Sequence, residues 1–530
     1  MAAIITDQLR ILNAKNFVSL ATSDRNTYYS FVGLPDATDI APSWDTNPPA
    51  PKDNFDQERS YWNTMIALKK IVPDDVRQVV RKINWTSGTT YDMYRHDITR
   101  DTPSKPSQAL SIYSSSYYAV NKDFRVYICL QNGTDPENPN GRPSLDEPTF
   151  TDLEPRSAGI SGDGYLWKYL YTISPSDIVK FDTINFIPVP KNWDTETSTD
   201  SCGNNVASVR ENAATSGQLK ICTVKNRGSG IGTANRTYTR VPIRGDGEGA
   251  ECTIVVNNDS KIGSITVSNG GSDYSYGTVD IVSGGLPTGV TIPEFDVIIP
   301  PQGGHGADIY RELGAFRVLV YSRIENDNED PDFIVGNQIA RVGLVENPKA
   351  YGTSTNLTKS KASAVGAIKL VGAGYSTAIF NADSLIYQTV GTGQTAVAKV
   401  VSYNQTTGVL KYWQDRTLAG FTTNTTKILE FSKNISPTYG FDLKKFTSTP
   451  LSGGSVSIIG QNATLAIHTA FTGSTTAINS RSYNLGQEFT SGLANPEVSK
   501  HTGNILYVDH RPSITRSQNQ REDIKIVLQF

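Results

Sequence analysis

Ile5, Leu9 and Leu12 recur at i, i+4 and i+7, the spacing of one helix face, and predict a short opening helix with a single apolar stripe. Residues 38 to 54 then lose any period. They carry Pro42, Pro48, Pro49 and Pro51 and end on Asp53 and Asn54, which suit the residue that caps a helix start. Behind them Tyr61, Met65, Leu68 and Val72 keep helical spacing, which predicts a helix from Asp56 to Ile71, the clearest in the chain. Pro73 stops it. Asp74 and Asp75 suit the first turn of a second short helix through Val76, Val79, Val80 and Ile83, and the two helices are expected on one side of a sheet.

Period-two patterns take over further along. Phe124, Val126, Ile128 and Leu130 alternate with Arg125, Tyr127 and Cys129, which predicts a strand. From Tyr165 to Ile173, Tyr165, Trp167, Tyr169 and Tyr171 share one face and Leu166, Lys168 and Leu170 the other, so aromatic cross-strand pairs could hold that strand in register. Phe316 to Tyr321 and Ile524 to Phe530 read as strands too. A sheet shared by these segments would rest on non-local pairings.

Two stretches, about Asp200 to Gly304 and Thr353 to Ser491, have a different texture, rich in Gly, Ser, Thr and Asn. They repeat each other: Gly245, Gly247, Ala250 and Ile254 recur at the spacing of Gly391, Gly393, Ala396 and Val400. Each copy runs into a predicted hairpin. The first turns through Asn257 to Gly263 and returns along Ser264 to Val267; the second turns through Asn404 to Gly408 and returns along Val409 to Trp413. A shorter echo pairs Val224, Asn226, Gly228 and Ser229 with Val267, Asn269, Gly271 and Ser272. Two good copies and a weak one fit inserted β modules better than a solenoid, which needs at least about three regular repeats. The resulting division is 1–199, 304–352 and 491–530 as three parts of one framework, with β modules inserted at 200–303 and 353–490. Excising Thr353 to Ser491 is therefore expected to leave the framework folded.

Composition supports a mainly β reading. The 530 residues hold 25 Tyr but only 3 Met, which favours pleated surfaces over helix bundles. The length allows roughly three or four domains at about 150 residues each. With 49 basic and 52 acidic side chains the net charge is -3, which offers no footprint for a nucleic-acid backbone. Asp7, Arg10 and Lys15 interrupt the opening apolar residues, so neither a signal peptide nor a membrane span is expected. Cys129, Cys202, Cys222 and Cys252 lie too far apart for a CxxC pair and read as reduced, packed thiols.

The patterns of familiar catalytic sites are missing: GxSxG, GxxxxGK and HExxH do not occur. Gly228, Gly230 and Gly232 read as a turn, because no helix pattern follows them as a phosphate cradle requires. The acidic run Glu325, Asp327, Glu329, Asp330 and Asp332 has Asp330 where an EF-hand needs Gly and Gly336 where it needs Glu, and is expected to be a solvated loop. His96, His305, His468, His501 and His510 are scattered without metal-ligand spacing, so no metal or cofactor is expected. Carboxylate pairs of the kind glycoside hydrolysis uses, Asp152 with Glu154 or Asp163 with another acid, keep an enzyme alternative open. Ser161 to Tyr171 reads as a Gly162-Asp163-Gly164 turn feeding an aromatic core strand, with a sugar platform on Trp167 as the other reading.

Several blocks, taken in order, resemble one family. They are Tyr61-Trp62-Asn63-Thr64-Met65 running to Pro73 and Trp85; Gly162-Asp163-Gly164-Tyr165-Leu166-Trp167-Lys168-Tyr169-Leu170; and Phe186-Ile187-Pro188-Val189-Pro190. Arg341 to Pro348, Gly503 to Ile514 with Arg511 and Pro512, and Ile524 to Phe530 complete the series. The succession resembles the baseplate wedge subunit of T-even-type contractile-tailed bacteriophages, the gene-eight product family, over about residues 1 to 199, 304 to 352 and 491 to 530. The two repeat-bearing stretches look like additions absent from its short members. The resemblance implies a non-enzymatic, layered β-sandwich framework with a few peripheral helices, forming a homodimer among other wedge proteins. It also implies a place in the virion, in a tail baseplate assembled in the host cytoplasm, with neither nucleic acid nor membrane as partner. Gly162, Asp163, Gly164, Trp167, Tyr169, Arg511 and Pro512 are carried over as structural motif residues.

Two rival readings accompany this one: a tail-associated glycan depolymerase using a carboxylate pair, and a glycan-binding adhesin using the inserted modules.

Overall fold

Tyr118–Val120, Arg125–Asn132 and Tyr165–Thr172 form a three-stranded antiparallel sheet. Its centre pairs Tyr127 with Tyr169 and Cys129 with Trp167. The aromatic strand is buried on both faces, so Lys168 and Leu170 lie inside together with Tyr165, Trp167, Tyr169 and Tyr171. Each fully buried aromatic ring contributes on the order of 1.5–3 kcal/mol of transfer free energy. This sheet is the centre of the largest core cluster, which also takes in Tyr91, Tyr117, Trp193 and Ile309.

The computed structural model describes residues 3–23, 25–36, 43–197, 206–213, 215–287, 289–391, 394–413, 455–458 and 464–530. The chain is mainly β, with several antiparallel sheets and few helices. It divides into two compact units: Met1–Ser19, Val76–Val320 and Ile526–Phe530 make the first, and Leu20–Asp75 with Tyr321–Lys525 the second. The segments 1–199 and 304–352 are thus each shared between the units.

A second sheet has the order Glu522–Gln529, Arg317–Ile324, Val76–Arg81, Phe186–Pro188, and its pairing of 76–79 with 317–320 lies in the first unit. The strands expected to share one sheet therefore fall into two: residues 125–132 and 165–172 in one, 317–324 and 522–529 in the other. The repeat-bearing stretch of this unit has its own core, in which Val241, Cys252, Ile254 and Ile262 are fully buried. Its four-stranded sheet contains the expected hairpin, Glu248–Val256 against Ile262–Ser272. Gly228, Gly230 and Gly232 all have positive φ and lead to a strand at Thr237–Gly245, in keeping with a turn. Cys129, Cys222 and Cys252 are buried free thiols pushed above the ordinary range by burial, and Cys202 lies outside the described residues.

The second unit is built on a five-stranded antiparallel sheet, ordered Lys361–Ser363, Met65–Lys70, Tyr28–Gly33, Gln338–Glu346, Asn504–Thr515. Beyond it lies a sheet that closes on itself. Gly366–Val371, Val409–Trp413, Gln394–Asn404, Leu385–Gly391, Ser455–Ile458 and Thr464–Ile467 pair in a ring, and Leu493–Ala494 pairs with the start of the first strand on the edge that Thr464–Ile467 takes further along. Closure removes the unpaired edges of an open sheet. Ile368, Leu370, Val400, Leu410 and Ile467 form its core. The expected second hairpin is two strands of this ring; Gly393 of the repeat lies outside the described residues.

Three expected elements differ. The opening helix exists as Asp7–Ala21, but Ile5 (64%), Leu9 (47%) and Leu12 (51%) face solvent, and Ile11 and Ala14 are the buried positions. The helix expected over Asp56 to Ile71 stops at Thr64. Asn54 caps it, its side chain accepting from Gln57 N at 2.8 Å, but Met65 turns extended (φ -62°, ψ 130°) and Met65–Lys70 is a sheet strand. Met65 to Leu68 are all buried, and a strand covered on both faces loses the alternation that would betray it. The second expected helix is a strand as well. Pro73–Asp75 makes one 3₁₀ turn, after which Val76–Arg81, rich in β-branched Val, joins the first unit's sheet.

The excision expectation does not fit this arrangement. Residues 353–491 supply an edge strand of the five-stranded sheet, Lys361–Ser363, and the core residues Leu357, Ala362 and Ala364 packed with Trp62 and Leu68. Val365 and Val401 likewise pack with Val32, Ile66 and Phe333. Excising Thr353 to Ser491 is predicted to abolish cooperative urea unfolding of the second unit; a single retained transition would show that those contacts are dispensable.

Candidate functional site

The Gly162-Asp163-Gly164 turn is a cap for the aromatic strand. Asp163 is buried, and its carboxylate accepts from Leu145 N at 2.9 Å and Tyr165 N at 3.0 Å, which satisfies the backbone where the strand begins. Gly162 and Gly164 have φ of 73° and 83°; a Cβ on Gly164 would stand 2.7 Å from the Cα of Gly133, so two backbones meet there. Trp167 has no exposed surface, stacks on Tyr165 (centroids 5.5 Å, 16°) and meets the edge of Tyr91. Tyr169 is equally buried and shares a 2.8 Å hydrogen bond with Thr172. A sugar platform on this face is overturned, because the rings are inside.

The carboxylates considered for hydrolysis are tied up. Asp152 pairs with Arg156 at 2.9 Å, and Glu154 takes Lys220 at 2.8 Å and Asn212 at 2.9 Å. Lys168 sits in the same neighbourhood, donating to Leu153 O and to Asn212 Oδ1 at 3.1 Å; burial pushes its pKa down to about 8. Sequence reading placed Lys168 on the strand without marking it, since nothing in alternation tells a buried lysine from an exposed one.

Arg511 and Pro512 lie in Asn504–Thr515, the outer strand of the five-stranded sheet. Its register against Gln338–Glu346 jumps from Ile339↔Ile514 to Arg341↔His510, so 511–513 form a bulge. Proline, lacking an N–H, fits there without losing a ladder bond. Arg511 is exposed, pairs with Asp509 at 2.6 Å and accepts the indole N–H of Trp44 on its carbonyl at 2.9 Å.

Beside the bulge is a buried cation that sequence reading missed. Arg341 has no exposed surface; its guanidinium donates to Thr64 Oγ1 at 2.5 Å and to His510 Nε2 at 3.2 Å, and pairs with Asp36 at 2.7 Å. The rings of Trp44 and Tyr61 lie 4.9 and 5.5 Å away. Because Nε2 accepts, His510 donates from Nδ1 to Pro49 O at 2.8 Å, which assigns the neutral tautomer. Burial, reinforced by the Arg341 charge, holds the His510 pKa below its ordinary value. Of the remaining histidines, His96 accepts from Ile299 N at 3.2 Å, buried His305 pairs with Glu312 at 2.6 Å, and His468 and His501 meet the rings of Phe471 and Trp62.

The acidic run is the other surprise: it is a turn-forming loop with Glu329 exposed, but the expectation of solvation fails at its last two acids. Asp330 (0% exposed) and Asp332 (3%) are buried. Asp330 pairs with Lys361 and with Lys69 (3.1 Å) and accepts from Glu325 N at 2.5 Å; Asp332 pairs with Lys411 at 3.5 Å. Burial alone would raise the Asp330 pKa, but the bonds from Lys361, Glu325 N and Lys69 outweigh it and hold it low. Burial lowers the Lys411 pKa, and it raises that of nearby Glu497, on which Asp332 also acts. The three lysines come from residues far apart in sequence, so only the fold assembles the cluster. Among the described residues no group of three or more His, Cys, Asp or Glu is placed to hold a metal ion.

Compared with known protein families and with characterised proteins, the chain matches none.

Three measurements follow from this geometry. Trp167→Ala is predicted to lower stability in urea by about 3–5 kcal/mol, the cost of emptying a buried aromatic site; a loss under about 1 kcal/mol would place the ring at the surface. Lys411→Met should cost about 3–5 kcal/mol by stranding Asp332, and Lys411→Met with Asp332→Leu should restore most of it; equal losses in both would show that the charge pair is not what matters. His510 contributes stability that is full above about pH 6.5 and is lost as pH falls from there toward its lower native value, since the unfolded chain takes up a proton that the folded one refuses. Urea midpoints should therefore drop on acidification, and His510→Gln should flatten that part of the profile.

Proposed function

We propose that this chain is a structural subunit of a contractile-tail baseplate wedge, acting in baseplate assembly and in holding wedge components together. The observation that carries this reading is where the family-like blocks fall. In the family's order they furnish the Asn54-capped helix and its following strand, the Asp163-capped aromatic strand, and Phe186–Pro188. They go on to Gln338–Glu346, the bulged outer strand, and Glu522–Gln529. These are sheet-forming segments of both units. Their polar groups, Asp163 and Arg341 above all, are committed to holding backbone and neighbouring side chains in place.

On this reading the chain works as a homodimer in the tail baseplate of a virion. It binds other wedge proteins in fixed proportion, takes no cofactor, performs no reaction, and needs neither nucleic acid nor membrane. It is assembled in the host cytoplasm.

Light scattering of the purified chain should give twice the chain mass, and co-expression with candidate wedge neighbours should return a complex of constant stoichiometry. A monomer at micromolar concentration that no wedge partner pairs, or the absence of the chain from purified tails, would overturn the proposal.

A further inference from the structure

Within the second unit, a cleft of about 400 Å³ opens where the closed sheet meets residues 327–336 and the Arg481–Phe489 strand. This lies in the range of small-molecule sites, roughly 300–1,000 Å³. Tyr403 and Tyr483 line it, with Ile379 exposed at its rim. The Tyr403 ring is held in place, its hydroxyl donating to Tyr375 O at 2.5 Å and its face 4.7 Å from Phe380. The Arg481 guanidinium lies 5.3 Å over the Tyr483 ring and steadies it.

The polar lining is left open. Among the described residues, the side chains of Asp327, Asn328 and Gln518 and the hydroxyl of Tyr483 have no hydrogen-bond partner. Two amides, a phenol and a carboxylate together offer both donors and acceptors over a short span. The charge balance narrows the ligand further. Lys411 is the one cation among the described lining residues, and it is spent on Pro331 O at 2.8 Å and on Asp332. Asp327 is the one carboxylate among the described lining residues, and the Arg481 guanidinium is engaged on the Tyr483 ring, so an anion among the lining residues would meet a negative charge that no lining cation offsets. A ligand with apolar C–H faces for the rings, many hydroxyls for the amides and carboxylate, and no negative charge satisfies all of these conditions at once.

We propose that this cleft binds a neutral saccharide, one or two hexose rings long. The inference stands on the cleft alone and not on the wedge-subunit reading, so either can fail without the other.

Saturation-transfer NMR on the full chain tests it, with glucose, galactose, mannose and N-acetylglucosamine as probes and glucuronate as the anionic control. At least one neutral sugar should receive saturation and glucuronate should not. Asn328→Ala and Tyr483→Ala should each weaken that binding about tenfold while thermal unfolding stays unchanged. Asn328 is exposed, so its variant serves even if Tyr483→Ala folds poorly. No transfer to any neutral sugar, stronger transfer to glucuronate, or transfer that survives both substitutions would overturn the proposal.

Discussion

A carboxylate sealed from water is tolerable only where cations and hydrogen-bond donors meet it, and the second unit is arranged around that demand at Asp330 and Asp332. Lys69 arrives from an inner strand of the five-stranded sheet, Lys361 from its edge, and Lys411 from the closed sheet. None of these segments can shift far without exposing or stranding a charge. The apolar contacts among Val32, Ile66, Phe333, Val365 and Val401 accompany the same convergence, so packing and electrostatics specify one arrangement of five separate stretches of chain. Buried ion pairs add little net stability compared with apolar replacements, and their use here is better understood as selecting the register.

The first unit solves a similar problem with rings. Its aromatic strand is covered on both faces, and the tyrosine hydroxyls reach backbone carbonyls: Tyr165 donates to Arg142 O at 2.7 Å, Tyr127 to Phe150 O at 2.6 Å and Tyr171 to Pro188 O at 3.1 Å. The loop carbonyls of Arg142 and Phe150 and the end of the 186–188 strand are thereby anchored by groups whose bulk already lies in the core. Trp167 is the exception. Its Nε1 has no partner among the described residues, a local cost that the surrounding ring contacts absorb.

Sequence patterning located the strands that carry their own alternation or aromatic signature, and it located both module hairpins, whose Asn and Gly turns are local signals. It failed where tertiary burial erased the period. Tyr61, Met65 and Leu68 satisfy helical spacing by coincidence, because Met65 to Leu68 are buried whichever face they take. It failed again with charges: five acids in eight residues look hydrophilic until Lys69, Lys361 and Lys411 arrive from segments a chain-wise reading cannot join. The contact between Arg341 and His510 escaped notice for the same reason, since they stand 169 positions apart. The turn glycines and Asp163 were legible because the turn and its bond from Tyr165 N are settled within a few residues; the bond from Leu145 N was not.

The bulge at 511–513 has a consequence for colloidal behaviour. Asn504–Thr515 is a twelve-residue border of an open sheet, with Leu506 and Ile514 showing apolar surface. Such a border is a template on which any extended chain can lay itself down. Pro512 removes a donor from the middle of that template, the bulge kinks its line, and the exposed Arg511 sets a charge beside the gap. What remains is one seven-residue flank, 504–510, and a two-residue end, 514–515, so the continuous line offered to a stranger's strand is cut from twelve residues to seven. A polypeptide rich in sheet can in this way accumulate in a crowded cell without its copies sticking edge to edge.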